Sequence, residues 1–263
     1  MNLRVTMENP GIQPETVFSI GSFPVTNAMI MGTIVTVLLL VIALSIKKQP
    51  KKAPSKFAIV MEMIVESFIT LLEQITSSKQ RALKLLPLIG ALFLFIGLSN
   101  LITLIPGISS FSYGDVPLFR TPTNDFNVTF SIALAMVILT QIVSLKQFGV
   151  FGHLGKYFKF KEVIAGFREG IGAGFIAIID FLVGLLDIIS EIAKVVSLSL
   201  RLFGNMYAGE VLTAVLFGAL AILVPTPWLA MNLLVGVLQA MVFGALTAAY
   251  YMLAVETQEA EVA

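Results

Sequence analysis

Long apolar runs alternate with short polar stretches along this chain. Runs near the ~20 residues that cross a hydrocarbon core occur at 24–46, 85–106 and 128–147, and longer ones cover 171–223 and 228–255. The pattern predicts an all-α polytopic membrane protein, a single membrane domain over 1–263 with five membrane-crossing helices. Residues 1–22 are mixed and polar, with Arg4, Glu8 and Glu15, and show no cleavable signal. Between the first two runs, 56–78 carries Glu62, Glu66 and Glu73 on one helical face. That is an amphipathic interfacial helix; a helix packed flat on its neighbours fits equally well.

The run 171–223 is too long for a straight crossing. At ~1.5 Å per residue it would reach roughly 80 Å, against a core of ~30 Å. It must break, leave the membrane or tilt steeply. Gly166, Gly170, Gly172 and Gly174 suggest a hinge before it, and Pro225-Thr226-Pro227 marks a turn into the last helix. The expected result is a long helical hairpin of 171–223 and 228–255.

Charge placement sets the orientation. Of 17 Lys and Arg, thirteen lie within 47–56, 79–84 and 146–168, all on one side if the runs alternate. Only Arg4 and Arg120 lie on the other side, while Lys194 and Arg201 fall inside the fourth run. The N-terminus is therefore expected outside and the C-terminus in the cytoplasm.

Composition narrows the chemistry. The chain is 57% hydrophobic and 13% charged, with a mean hydropathy of +0.93; soluble domains carry about 25% charged residues. Net charge is +1, so nothing favours nucleic acid. With no cysteine, disulfides, thiolate metal sites and cysteine nucleophiles are excluded. The single histidine, His153, falls in an expected loop, so no metal site or cofactor is expected.

The exceptional segment is Ser197-Leu198-Ser199-Leu200-Arg201-Leu202-Phe203-Gly204-Asn205-Met206-Tyr207-Ala208-Gly209-Glu210. A charge at bilayer depth costs roughly 2.5–3.5 kcal/mol on insertion scales and points to an ion or proton path. On a helical wheel Lys194 lies ~20° from Arg201, Asp187, Ser197 and Asn205 each ~40° away, Asp180 ~60° and Glu210 ~180°. Asp187 and Glu210 lie about 21 Å and 13 Å from Arg201 along the axis, on opposite sides. A fixed cation thus separates two titratable carboxylates, which suits two aqueous half-paths that do not join. Arginine keeps its proton, so it blocks leakage and attracts a carboxylate on a moving partner. Asp187, Glu191 and Lys194 fit a solvated cytoplasmic stretch equally well. Asn232 and Gln239 share a face of the last helix. They suit ordinary helix–helix hydrogen bonds or, for Gln239, a carbonyl that meets the Arg201 guanidinium.

The segment 197–210 closely resembles the signature of subunit a of F-type ATP synthases. Gly97-Leu98-Ser99-Asn100-Leu101 with Pro106, Pro122-Thr123-Asn124-Asp125-Phe126-Asn127-Val128-Thr129, and Leu238-Gln239-Ala240 resemble further family blocks in the family order. The resemblance implies the proton-translocating stator of the membrane sector, with two offset half-channels beside a rotating ring of c subunits. Its implied partners are the c-ring with its intramembrane carboxylate, the peripheral stalk b subunits, indirectly the catalytic head, and the lipid bilayer. Arg201 matches the arginine that meets the ring carboxylate. Glu210 would serve the external half-channel, with Asp125 and Asn127 near its mouth; Asp187 matches an acidic position of the cytoplasmic one, and Gln239 a glutamine packed near the arginine. Asn205 and Asn232 complete the candidate set. Where many members carry a titratable residue one heptad before the glutamine, this chain has Asn232, so Glu210 is left with Asn232 or water as a hydrogen-bond partner.

On this resemblance the chain is not an enzyme by itself. Protons are the expected cargo, with a sodium-translocating form of the same subunit as the alternative. A self-contained secondary transporter would need internal repeats, and none is evident. A membrane-embedded enzyme would need a nucleophile or metal set, and a passive scaffold would tolerate loss of Arg201.

Overall fold

The computed structural model describes residues 11–47, 56–103, 105, 108, 111–113, 116–219 and 225–262. Arg4, most of the lysine–proline linker (48–55) and Pro106 lie outside the described residues. The elements run β1 (Thr16–Ile20), β2 (Phe23–Thr26), α1 (Asn27–Lys47), α2 (Lys56–Thr76), α3 (Lys79–Thr103), β3 (Ser112–Tyr113), β4 (Val116–Pro117), a 3-10 turn (Pro122–Asn124), α4 (Phe126–Tyr157), α5 (Phe160–Glu169), α6 (Ile171–Ala219) and α7 (Pro225–Val262). Among the described residues, five helical segments are long and apolar enough to cross a membrane: Asn27–Ile46, Lys79–Ile102, Phe126–Lys146, Ile171–Leu216 and Pro227–Ala254. The chain is an all-α polytopic membrane protein.

Several boundaries differ from the sequence reading, each for a local reason. The first span starts at Asn27 rather than 24, because Phe23–Thr26 pairs with Thr16–Ile20 in an antiparallel hairpin. Gly21 takes a positive φ (64°) in that turn. The signal was present: two β-branched and aromatic runs flank a Gly-Ser pair. Helix α4 ends at a break at Gly149 (φ 75°, ψ 169°), a conformation that suits glycine, and a second helical stretch follows to Tyr157. His153 is therefore helical rather than in a loop. Pro225 and Pro227 open α7 instead of forming a separate turn, since proline is tolerated in a first helical turn. A further amphipathic helix, α5, fills the polar stretch before Gly170.

The chain divides into two compact units, one built from residues up to Thr129 with Leu200–Ala248, the other from Phe130–Ser199 with residues from Ala249 onward. In the first, α3 is the centre. Helix α2 lies on it through Phe68, Leu72 and Thr76, all buried on one face. The rings of Phe68 and Phe93 are 4.0 Å apart between centroids. Glu62, Glu66 and Glu73 face out. So α2 does pack on a neighbour, and its 21 residues are not among the spanning segments. Ala28, Met31 and Val35 give α1 its buried stripe.

Helix α7 meets α3 through a row of small residues. A Cβ on Gly236 would lie 3.1 Å from Asn100, one on Gly97 lies 3.7 Å from Ala240, and one on Gly244 would lie 3.0 Å from Ile89. The order shows the two helices running antiparallel. In lipid there is no hydrophobic drive between helices, so close backbone approach supplies the attraction. The Asn100 amide then donates to the Gly236 carbonyl (3.2 Å) and its Oδ1 accepts from the Thr123 hydroxyl (2.6 Å). This fastens the 3-10 turn to both helices.

In the second unit the chain reverses at Gly149. Ser144 bonds His153 (3.1 Å), and the Tyr157 hydroxyl donates to Gln141 Oε1 (3.1 Å). The rings of His153 and Tyr157 meet edge to face.

Leu72 is fully buried between α2 and α3. Leu72→Ala is expected to cost about 2–4 kcal/mol, whereas Glu66→Ala on the outer face stays within about 0.5 kcal/mol. Thermal unfolding of the detergent-purified complex reads both.

Candidate functional site

Helix α6 carries the central candidates because it presents two unlike faces. Leu198, Ser199 and Leu202 are buried, while Leu200, Arg201, Gly204, Asn205 and Ala208 are exposed. Arg201 therefore lies on an open lateral face of a spanning segment. Among the described residues it has no hydrogen-bond or ion-pair partner. A guanidinium has five donors and cannot shed its charge, so within a membrane such a group calls for a partner from outside the chain.

Gln239 lies opposite on α7, 5% exposed. Its Oε1 accepts from Asn205 Nδ2 at 2.8 Å, one turn beyond Arg201. The carbonyl expected to meet the guanidinium is thus held by Asn205 instead. The Gln239 amide nitrogen is enclosed without a partner.

Further along, Thr213 ties the same two helices. Its hydroxyl donates to the Gly209 carbonyl (2.6 Å) and accepts from Trp228 Nε1 (2.9 Å) and Asn232 Nδ2 (3.0 Å). The pairs 205–239 and 213–228 run in opposite order, so α6 and α7 are antiparallel here, as a hairpin requires. Asn232 thus gives its amide to Thr213 rather than to Glu210. Glu210 is half-buried, and its Oε2 is enclosed with no donor from the described protein. An unsatisfied carboxylate oxygen is costly unless it is hydrated or protonated.

Asp125 is 3% exposed and its Oδ1 accepts from the Asn127 backbone N–H at 2.9 Å. It is the N-cap of α4. Neighbouring Phe126 stands edge-on to Phe203, whose ring stacks on Tyr207. The start of α4 therefore lies against the turn of α6 that precedes Glu210.

Asp187 belongs to the second unit, with Glu191, Lys194 and Tyr157. Lys194 Nζ bonds Glu191 Oε1 at 2.6 Å and sits 5.3 Å from the Tyr250 ring centre. Asp187 is half-buried. Burial, with the charges of Glu191 and Asp187 added, pushes the Tyr157 phenol up to about 12. It therefore stays a proton-bearing donor throughout the physiological range.

The geometry joins Asn205 to Gln239 and Asn232 to Thr213, and leaves Arg201 open and Glu210 enclosed. Thr213 and Trp228 were missed in the sequence, and Asn100 and Thr123 were noted only within family blocks, because single polar residues carry no pairing information. Arg120 was noticed only as a charge outside the spans.

A profile of the family described as ATP synthase A chain matches residues 28–252. The chain belongs to the ATP synthase A chain family. The chain is 31% identical over 239 residues to ATP synthase subunit a of Moorella thermoacetica, covering 91% of this chain and 95% of that one. It is 36% identical to ATP synthase subunit a of Desulforamulus reducens, over 85% of this chain and 77% of that one. ATP synthase subunit a 2 of a Picosynechococcus species is 29% identical, over 90% and 89%. The matched region includes every candidate residue of the family resemblance. Among the described residues, no group of His, Asp and Glu is placed to hold a metal.

The Asn205–Gln239 bond gives a stability prediction. Asn205→Leu leaves Gln239 with neither end bonded and is expected to cost about 1–3 kcal/mol, whereas Asn205→Leu with Gln239→Leu costs less than either single change. The thermal midpoint of the detergent-extracted complex distinguishes the two.

Proposed function

We propose that this chain is the proton-translocating stator of an ATP synthase membrane sector. Membership of the family makes it the a subunit, a non-catalytic part of that assembly. The further step, to a conductor with two offset half-channels facing a ring of c subunits, rests on Arg201. Its exposure on the lateral face of α6, without a partner among the described residues, supports a counter-charge carried by another chain.

Arg201 favours the ionised form of a passing ring carboxylate, which releases its proton to one side. The next carboxylate cannot pass the guanidinium protonated, so the two half-paths stay separate. Glu210 loads protons from the external path, and Asp187 lies on the cytoplasmic one. Gln239 and Asn205 hold the α6–α7 pair in register beside Arg201. Asp125 fixes the start of α4, with Asn127 near the outer mouth, and Asn232 acts through Thr213 rather than as a relay. The 46 residues of Ile171–Leu216 exceed an upright crossing, which supports a steeply tilted helix against the ring. Each charge crossing 100 mV yields about 2.3 kcal/mol, which the ring turns into rotation. The b subunits of the stalk hold the chain still in a bacterial inner membrane, N-terminus outside and C-terminus in the cytoplasm.

In inverted vesicles holding the whole synthase, Arg201→Ala is expected to abolish ATP-driven acidification, read with a pH-sensitive dye. Glu210→Gln slows it without releasing the chain from the complex. Full acidification in Arg201→Ala contradicts the stator role, and acidification that added sodium suppresses assigns the cargo to sodium.

A further inference from the structure

Arg120 is 7% exposed and carries a full charge. Its Nη1 donates to the Gln13 carbonyl (2.7 Å) and its Nη2 to the Gly11 carbonyl (2.6 Å), with the carbonyls of Asn124 and Ile12 at 3.3 and 3.4 Å. No carboxylate bonds it among the described residues. Carbonyl dipoles solvate a cation but leave its charge standing, and a buried charge needs an opposite one.

The neighbouring segments hold enclosed polar atoms that lack partners. They are Arg120 Nε, both ends of the Asn124 side chain, Glu15 Oε2 and Glu210 Oε2. Asn124 is fully buried. The ring series Phe126, Phe203, Tyr207 brings the segment after Arg120 against the α6 turn that ends at Glu210. Through its bond to the Asn124 carbonyl, Arg120 belongs to the segment that meets this turn.

We propose that Arg120 is a second fixed cation of this protein, a positioning residue that supplies the counter-charge for Glu210 and is itself held by the strap of residues 11–13. The proposal rests on Glu210 being a translocation residue. Arg201 and Arg120 then divide the work: one faces the moving partner, the other stays with the chain's own carboxylate. The N-terminal segment becomes part of the path's wall, because its carbonyls aim the guanidinium.

The test is a double-mutant cycle on acidification by inverted vesicles containing the complete synthase. Arg120→Gln is expected to lower the rate about tenfold, and Arg120→Lys, which keeps the charge, to stay within about threefold of the parent. In an E210Q background, R120Q is expected to lower the rate further by less than about twofold, because both changes remove one interaction. Losses that multiply, an unaltered rate in R120Q, or failure of both Arg120 variants to assemble would overturn the proposal. Arg201→Ala in the same membranes separates the two ideas. If it still pumps, the stator reading falls; if it does not and the Arg120 and Glu210 losses multiply, only the role of Arg120 falls.

Discussion

In a bilayer every polar group must find a partner inside the protein, and this constraint arranges the chain. Water is not there to solvate a stray amide or charge. The described structure answers it locally. Asn100 is spent on Thr123 and Gly236, Asn205 on Gln239, and Asn232 and Trp228 on Thr213. Against that background Arg201 stands exposed and unpartnered among the described residues. The same fold that pairs Asn100, Asn205 and Asn232 leaves the Arg201 guanidinium open on the exposed face of α6.

The scaffold behind Arg201 is made by close approach rather than bulk. Gly236, Ala240 and Gly244 let α7 lie against α3, and α7 in turn holds α6 through two polar ties. Leu198 and Leu202 anchor the inner side of α6. The outer side is then free to face a partner. These contacts fix which face of α6 points away, and so they fix where the guanidinium is offered.

Much of this was legible in the sequence. Run length gave the five spans. The stretch 197–210 carried the family resemblance, which the family match over 28–252 bears out. Hydrophobicity did not give partners. An asparagine in an apolar helix announces a hydrogen bond without saying with what, so Gln239 was matched to Arg201 when its acceptor goes to Asn205. The β1–β2 hairpin was hidden beneath a count of polar residues, although its Gly-Ser turn was readable. The break at Gly149 could not be separated from ordinary helical glycine, so His153 was left outside the helix. Arg120 was counted as a topogenic charge because its hydrogen bonds go to backbone carbonyls, which leave no trace in composition.

Since the chain has no cysteine, single cysteines report neighbours cleanly. The most direct test of the account is disulfide cross-linking, in the assembled synthase, between the carboxylate-bearing helix of the ring and cysteines placed at Gly204 or Ala208 on the exposed face of α6. The account predicts efficient cross-links at both positions and none from Leu40, which is equally open on α1. Cross-links from Leu40 with none from Gly204 or Ala208 would contradict it.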